Sequence, residues 1–214
     1  MKAHQLNMLN TYNTVAKAYA DKFMDELQHK HLDRILLKAF AAENKHAGKF
    51  IDFGCGPGQT TQFLSQCGIT DLVGIDISPT MIDTAKQLNP QLQFETNDLL
   101  QLSYADKSFD AAIAFYAIVH FTIDELKIAF QEIKRVLSEK GELLFSFHVG
   151  NERIHLDTLL DHAVNIDFQF FETEAVVELL KQTGFDIIDV IERQAYKDVE
   201  YPSKRAYIWV KRIA

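Results

Sequence analysis

The stretch Lys49-Phe50-Ile51-Asp52-Phe53-Gly54-Cys55-Gly56-Pro57-Gly58 decides the reading of the whole chain. Lys49 to Phe53 is short and apolar and predicts a strand. Gly58 to Gln66 predicts a helix, with Gly68 placed to cap its C-terminus. The glycines between them lack a Cβ, so the backbone can turn tightly and a ligand can approach it closely. In open α/β sheets, ligands bind beyond the carboxyl ends of strands. A dinucleotide site of the G-x-G-x-x-G type would need a glycine at position 59, where Gln59 stands. Asp52 lies just inside the strand. A carboxylate there opposes a pyrophosphate and favours the cationic end of an amino acid.

Outward from this stretch the chain alternates. Leu72 to Ile75, Leu92 to Glu95, Phe109 to Phe115 and Glu142 to His148 read as strands. Pro79 to Leu88 reads as a helix with proline in its first turn. Thr122 and Glu125 form a capping box for a helix whose inner face is Leu126, Ala129, Phe130, Ile133 and Leu137. Strands alternating with helices imply right-handed crossovers and a parallel sheet. Upstream, Tyr12, Ala16, Tyr19 and Phe23 recur at helical spacing, as do Leu32, Ile35, Leu36, Ala39 and Phe40. Residues 151–171 break the rhythm and read as an inserted helix plus loop. Thr173 to Gln182 reads as a helix, and Ile187 to Ile191 and Tyr207 to Val210 as two last strands. No Gly/Ser-rich linker interrupts residues 1–214, which predicts one α/β domain.

The net charge of −8 excludes the usual nucleic-acid binder, which carries a basic stripe for phosphates. The densest basic stretch, Lys204, Arg205, Lys211 and Arg212, fits the outer face of a strand. Met1 to Asn10 has no apolar signal core, and no apolar run is long enough for a bilayer. Cys55 and Cys67 are too few for a disulfide framework or a zinc site. The expectation is a cytoplasmic, metal-free protein, monomeric or homodimeric, acting on neither nucleic acid nor membrane.

Acids recur at successive strand ends. Val73-Gly74-Ile75-Asp76 places a carboxylate where it can accept from both hydroxyls of a ribose. The third strand ends at Glu95, and Asn97-Asp98-Leu99 follows, where an acid can accept from an adenine amino group. Ser108-Phe109-Asp110 leads into the fourth. Each acid alone also fits a solvated turn or a helix cap. Together, Gly54 to Gly58, Asp76, Asn97-Asp98 and Phe109-Asp110 resemble class I S-adenosylmethionine-dependent methyltransferases, over nearly the whole chain. The resemblance implies a Rossmann-like, seven-stranded, mostly parallel sheet with an antiparallel last strand, an N-terminal lid (residues 1–46) and an insertion after strand five (151–171) that covers substrate. It implies S-adenosyl-L-methionine as cofactor. Asp52 and Gly54 would lie near its methionine end, with Gly56 and Gly58 letting the loop pass close. Asp76 would hold the ribose, Ile77 and Met81 would flank the adenine, Asp98 and Leu99 would contact its edge, and Phe115 to Val119 would line the sulfonium. Tyr12-Asn13-Thr14-Val15-Ala16 and Tyr19-Ala20 are similar to the family's lid helix, although at this spacing the tyrosines also fit a plain core.

The sequence departs from the family in two places. Ser138-Glu139-Lys140-Gly141-Glu142 replaces the usual Pro-Gly-Gly turn, with Gly141 kept. Phe115-Tyr116-Ala117-Ile118-Val119-His120 stands where methyltransferases of planar amino groups carry Asn-Pro-Pro-Tyr, which resembles the small-molecule branch. A hydroxyl or carbon acceptor needs a base, and His120 and His148 are the candidates, with Tyr116 as an orienting hydroxyl. Tyr12, Arg153, His155 and Phe170 are candidate substrate contacts. Two other readings stay open: a non-catalytic S-adenosylmethionine or nucleoside-binding module, and a nicotinamide oxidoreductase.

Overall fold

The computed structural model describes residues 1–213. Helices α1 (Ala3–Phe23) and α2 (His31–Asn44) precede β1 (Phe50–Phe53), α3 (Gln59–Gln66), β2 (Leu72–Asp76), α4 (Pro79–Leu88), β3 (Gln93–Thr96) and β4 (Phe109–Phe115). There follow α5 (Ile123–Val136), β5 (Leu137–Val149), β6 (Arg153–Leu159), β7 (His162–Gln169), α6 (Thr173–Gln182), β8 (Phe185–Arg193) and β9 (Lys204–Arg212). Seven strands form one sheet in the order β3-β2-β1-β4-β5-β9-β8. The pairs from β3 to β5 are parallel, whereas β9 runs antiparallel to both β5 and β8. The last strand is therefore the reversed one, as expected.

Local chemistry sets the helix starts. Ser78 caps α4 by accepting from the Met81 N–H at 3.1 Å, and Pro79 occupies the first turn. Thr122 and Glu125 close the capping box of α5 in both directions. Leu126, Ala129, Phe130 and Ile133 of α5 are buried against one face of the sheet, where Phe130 meets Phe145 edge-on with centroids 5.4 Å apart. On the opposite face Phe40 of α2 packs on Phe50 and Trp209. Leu137, expected on the inner face of α5, instead leaves the helix at ψ 141° and begins β5.

The insertion is a correction. Residues 153–169 are not a helix plus loop but an antiparallel hairpin, β6 paired with β7. Leu160 and Asp161 form its turn with φ of +50° and +64°, the double left-handed geometry that matches strand twist. Ile154 and Leu156 line the cavity at the strand period of two, and Leu159 joins them beyond the register shift between Leu156 and Thr158. Leu159, Leu160 and Val164 pack against Val15, Ala16 and Met81, so the hairpin and α1 form one cover over the sheet's carboxyl edge. Among the described residues no helix is long and apolar enough to cross a membrane.

Candidate active site

The register sets Asp52 beside Gly74 and Asp76 beside Thr96, bringing the carboxyl ends of β1, β2 and β3 to one edge. Under the cover this edge floors a cavity of about 350 Å³, at the small end of ligand sites. Gly54, at φ +65°, cannot be replaced without conflict, because a Cβ there would stand 2.6 Å from the Ala117 Cβ. Gly54 and Gly56 belong to the cavity wall, with Asp52, Asp76, Ile77, Met81, Asp98, Leu99 and Phe115. Gly58 does not. Its φ is +91°, and a Cβ would meet Phe94 Cζ at 2.8 Å, so the bare backbone there leaves room for the Phe94 ring of β3.

Asp76 is held by two backbone donors: the Gly56 N–H at 3.0 Å on Oδ2 and the Ser78 N–H at 2.8 Å on Oδ1. Each oxygen keeps a lone pair for a ligand. Burial pushes its carboxyl up to about 6, against the pull of those donors. Burial likewise pushes Asp52 up to about 7, although the Thr61 hydroxyl donates to it at 2.6 Å. Asp98 Oδ1 accepts from the Leu100 N–H at 2.9 Å.

The cover brings Tyr12 and Tyr19 into the cavity wall. Asn13 fastens α1 to the floor, its Oδ1 accepting from the Ser78 hydroxyl at 2.7 Å. Tyr12 Oη lies 2.7 Å from His120 Nε2, and His120 Nδ1 lies 2.7 Å from the Asp167 carbonyl of β7. Burial lowers the imidazole to about 4, so it is neutral at pH 7. His148 Nδ1 pairs with the Ser203 hydroxyl at 2.7 Å, and burial together with Arg205 lowers this ring to about 3. His148 stacks on Phe170 at 5.1 Å and lies tilted against Tyr116 at 5.3 Å, with Tyr201 edge-on to both His148 and Phe170. Tyr116, at φ +56°, directs its hydroxyl to that of Tyr207 at 3.3 Å.

Of the residues the sequence singled out, Arg153 and His155 are not in the wall. Both are largely exposed on the hairpin and spend their polar atoms on Asp167, at 2.5 and 3.0 Å. Arg205, expected on an outer strand face, is buried and lines the cavity. It joins a charged network that sequence reasoning missed. Glu200 takes Arg193 at 2.6 Å and Arg205 at 3.2 Å; Arg193 also reaches Asp33 at 2.9 Å; Lys30 pairs with Glu26 at 2.6 Å. Burial would neutralise Glu200, yet the two arginines hold it near 2. Lys30 and Glu26 stand at i,i+4 spacing, but Arg193 and Asp33 are 160 residues apart, a pairing that no spacing in the sequence announces.

Among the described residues the wall carries six carboxylates (Glu26, Asp33, Asp52, Asp76, Asp98, Glu200) and two cations, Lys30 and Arg205. This surplus fits a cationic sulfonium ligand and opposes a dinucleotide pyrophosphate. The glycine floor, the half-free Asp76 carboxylate and the apolar Ile77, Met81 and Leu99 fit an adenosine.

A methyltransferase-domain family profile matches residues 50–141. An O-methyltransferase of Aspergillus sclerotiorum is 26% identical over 190 residues, which cover 80% of this chain and 67% of its own length. The eEF1A lysine and N-terminal methyltransferase of Homo sapiens is 31% identical over 150 residues, 68% of this chain and 21% of its own. The chain spans about half the length of two other curated relatives, 55% and 52%. In fold it is similar to an S-adenosylmethionine-dependent methyltransferase from Methanosarcina mazei, with a TM-score of 0.71 at 17% identity, covering 80% of this chain and 96% of that one.

Proposed function

Because this chain belongs to the class I S-adenosylmethionine-dependent methyltransferases, we propose that it methylates a small-molecule acceptor enclosed beside the cofactor. The carrying observation is the acid-rich cavity with Asp76 half free at its floor. When bound, the cofactor supplies an electrophilic methyl on a sulfonium, which leaves the protein to provide proximity and alignment. Asp76 accepts from the ribose hydroxyls, Ile77 and Met81 flank the adenine, and Asp98 and Leu99 meet its edge. Tyr19 closes the cover. Phe115, Tyr116, His148 and Phe170 line the acceptor side, and Tyr12 with His120 offers a buried proton acceptor there.

The small-molecule reading draws support from the packing of α1 with the hairpin over the cavity, from a lining with only two cations among the described residues, and from the O-methyltransferase relative. A cytoplasmic monomer or homodimer that binds neither nucleic acid nor membrane belongs to the same proposal. The test has two parts. S-adenosylhomocysteine should raise the melting temperature by linkage and give calorimetric heat, whereas NAD should give neither. A metabolite panel followed by S-adenosylhomocysteine release should then yield an acceptor. Binding of NAD without S-adenosylhomocysteine would end this reading.

A further inference from the structure

The two sides of the cavity differ in chemistry. Asp52, Asp76 and Asp98, the wall carboxylates with no cation partner among the described residues, lie at or just past the ends of β1 to β3. On the side of β5 and β9, the wall carboxylates Asp33 and Glu200 are both paired with arginines. There His148 and Arg205 stand opposite each other in the β5–β9 register, so their side chains leave the same face of the sheet. Tyr116 and Phe170 flank the His148 ring, and Tyr201, 56% exposed, ends the row at the rim. These rings offer flat apolar surface.

Donors are left over on this side. Among the described residues Ser203 Oγ meets two polar side-chain atoms, His148 Nδ1 at 2.7 Å and Arg205 Nη1 at 3.4 Å. Arginine only donates, so the serine turns a lone pair to it and gives its hydrogen to Nδ1. Burial, then Arg205 and Lys30, hold the ring at about 3, which makes it neutral at pH 7. Its one hydrogen is therefore on Nε2, which has no partner among the described residues. His120, by contrast, has both nitrogens engaged. Arg205 is 3% exposed, and its Nε–H also lacks a hydrogen-bond partner, with Glu200 Oε1 at 3.2 Å but out of line. Spare donors in a half-buried wall call for an acceptor atom, and nearby cations favour one with negative charge.

We infer that this side of the cavity receives a planar, conjugated methyl acceptor by an anionic oxygen, a carboxylate or an ionised enol or phenol, with His148 Nε2–H as the donor and the Tyr116, Phe170 and Tyr201 rings as its apolar surround. The inference rests on the methyl-transfer reading above and adds the chemical class of the acceptor. His148 then holds and orients that molecule and takes no proton from it.

Three probes with one planar skeleton test it on the full chain saturated with S-adenosylhomocysteine: cinnamate, cinnamamide and cinnamylamine. Calorimetry should show cinnamate bound about tenfold or more tightly than either of the others. Nitrogen-15 spectra at pH 7 should show the His148 ring in the Nε2–H form, and its Nε2 signal should move when cinnamate is added. His148→Phe should lose about tenfold toward cinnamate, with S-adenosylhomocysteine binding as the check that the variant is folded. If the variant does not fold, the wild-type selectivity and ring spectra decide alone. A preference for the uncharged or the cationic probe, equal binding of all three, binding of none, or an Nδ1–H ring at His148 overturns the inference. So does unchanged cinnamate affinity in folded His148→Phe. Wild type that does not bind S-adenosylhomocysteine would instead sink the cofactor reading itself.

Discussion

Tyr12 Oη and His120 Nε2, 2.7 Å apart, fix each other's protons. The second imidazole nitrogen, Nδ1, meets a backbone carbonyl that can only accept. Nδ1 must therefore carry the hydrogen, which leaves Nε2 as a lone pair facing the Tyr12 hydroxyl. One neutral ring thus joins α1, the loop after β4 and β7. Nitrogen-15 spectra of the histidine rings at pH 7 should show His120 in the Nδ1–H form. Tyr12→Phe strands a buried acceptor, which should cost about 1–3 kcal/mol of stability by denaturant titration.

Acidification should work against this arrangement. His120 in the folded chain titrates near 4 and His148 near 3, below the ordinary 6.5. As pH falls from about 6.5 toward 4, the unfolded chain takes up protons that the folded chain refuses, and stability drops. Asp52 and Asp76, raised by burial, pull the other way over the same window. The comparison is therefore between variant and wild type: His120→Gln should lose less melting temperature than wild type between pH 7 and pH 4.5. Parallel curves would contradict the neutral, buried ring.

Asp76 should make ligand binding pH-dependent. A carboxylate accepting ribose hydroxyls must be ionised, and burial lifts this one to about 6. S-adenosylhomocysteine affinity should be flat above pH 7 and weaken as pH falls through 6. Asp76→Asn should weaken binding about tenfold or more, since charged hydrogen bonds contribute about 1.5–3 kcal/mol each. It should also abolish the step near pH 6. Isothermal titration at pH 7.5 and 5.0 checks both statements.

Arg193 should matter to stability far beyond the weight of an ordinary surface pair. It holds Asp33 and Glu200, both with side chains 1% exposed. Arg193→Ala leaves two buried carboxylates short of a cation, and loss of one partner of a buried pair costs about 3–5 kcal/mol. Urea unfolding would show it. A loss below about 1 kcal/mol, the range of exposed pairs, would mean that water reaches this network.

Gly58 separates packing from binding. Gly58→Ala forces a Cβ to within 2.8 Å of Phe94 in left-handed backbone, and such strain costs about 1–3 kcal/mol. Because Gly58 stands outside the cavity wall, S-adenosylhomocysteine affinity should stay within about twofold of wild type at temperatures where the variant is folded.

Much of this molecule was legible in the chain because its signals are local. A period of 3.6 or 2, a proline in a first turn, a capping box and alternating glycines each act within a few residues. The strand-end acids Asp52, Asp76 and Asp98 follow once the strands are placed, since a parallel sheet brings every carboxyl end to one edge. What only tertiary structure decided is long-range. The hairpin in residues 153–169 lacks an Asn-Gly or Asp-Gly turn and is defined by pairing and by packing on α1. Arg193 reads as an ordinary solvated charge until the fold sets Asp33, 160 residues away, against it. Arg153 reads as a ligand contact until Asp167, fourteen residues on, engages it. The physical reason is that a charge's role depends on its partners and its burial, and both are properties of the folded neighbourhood rather than of the residue.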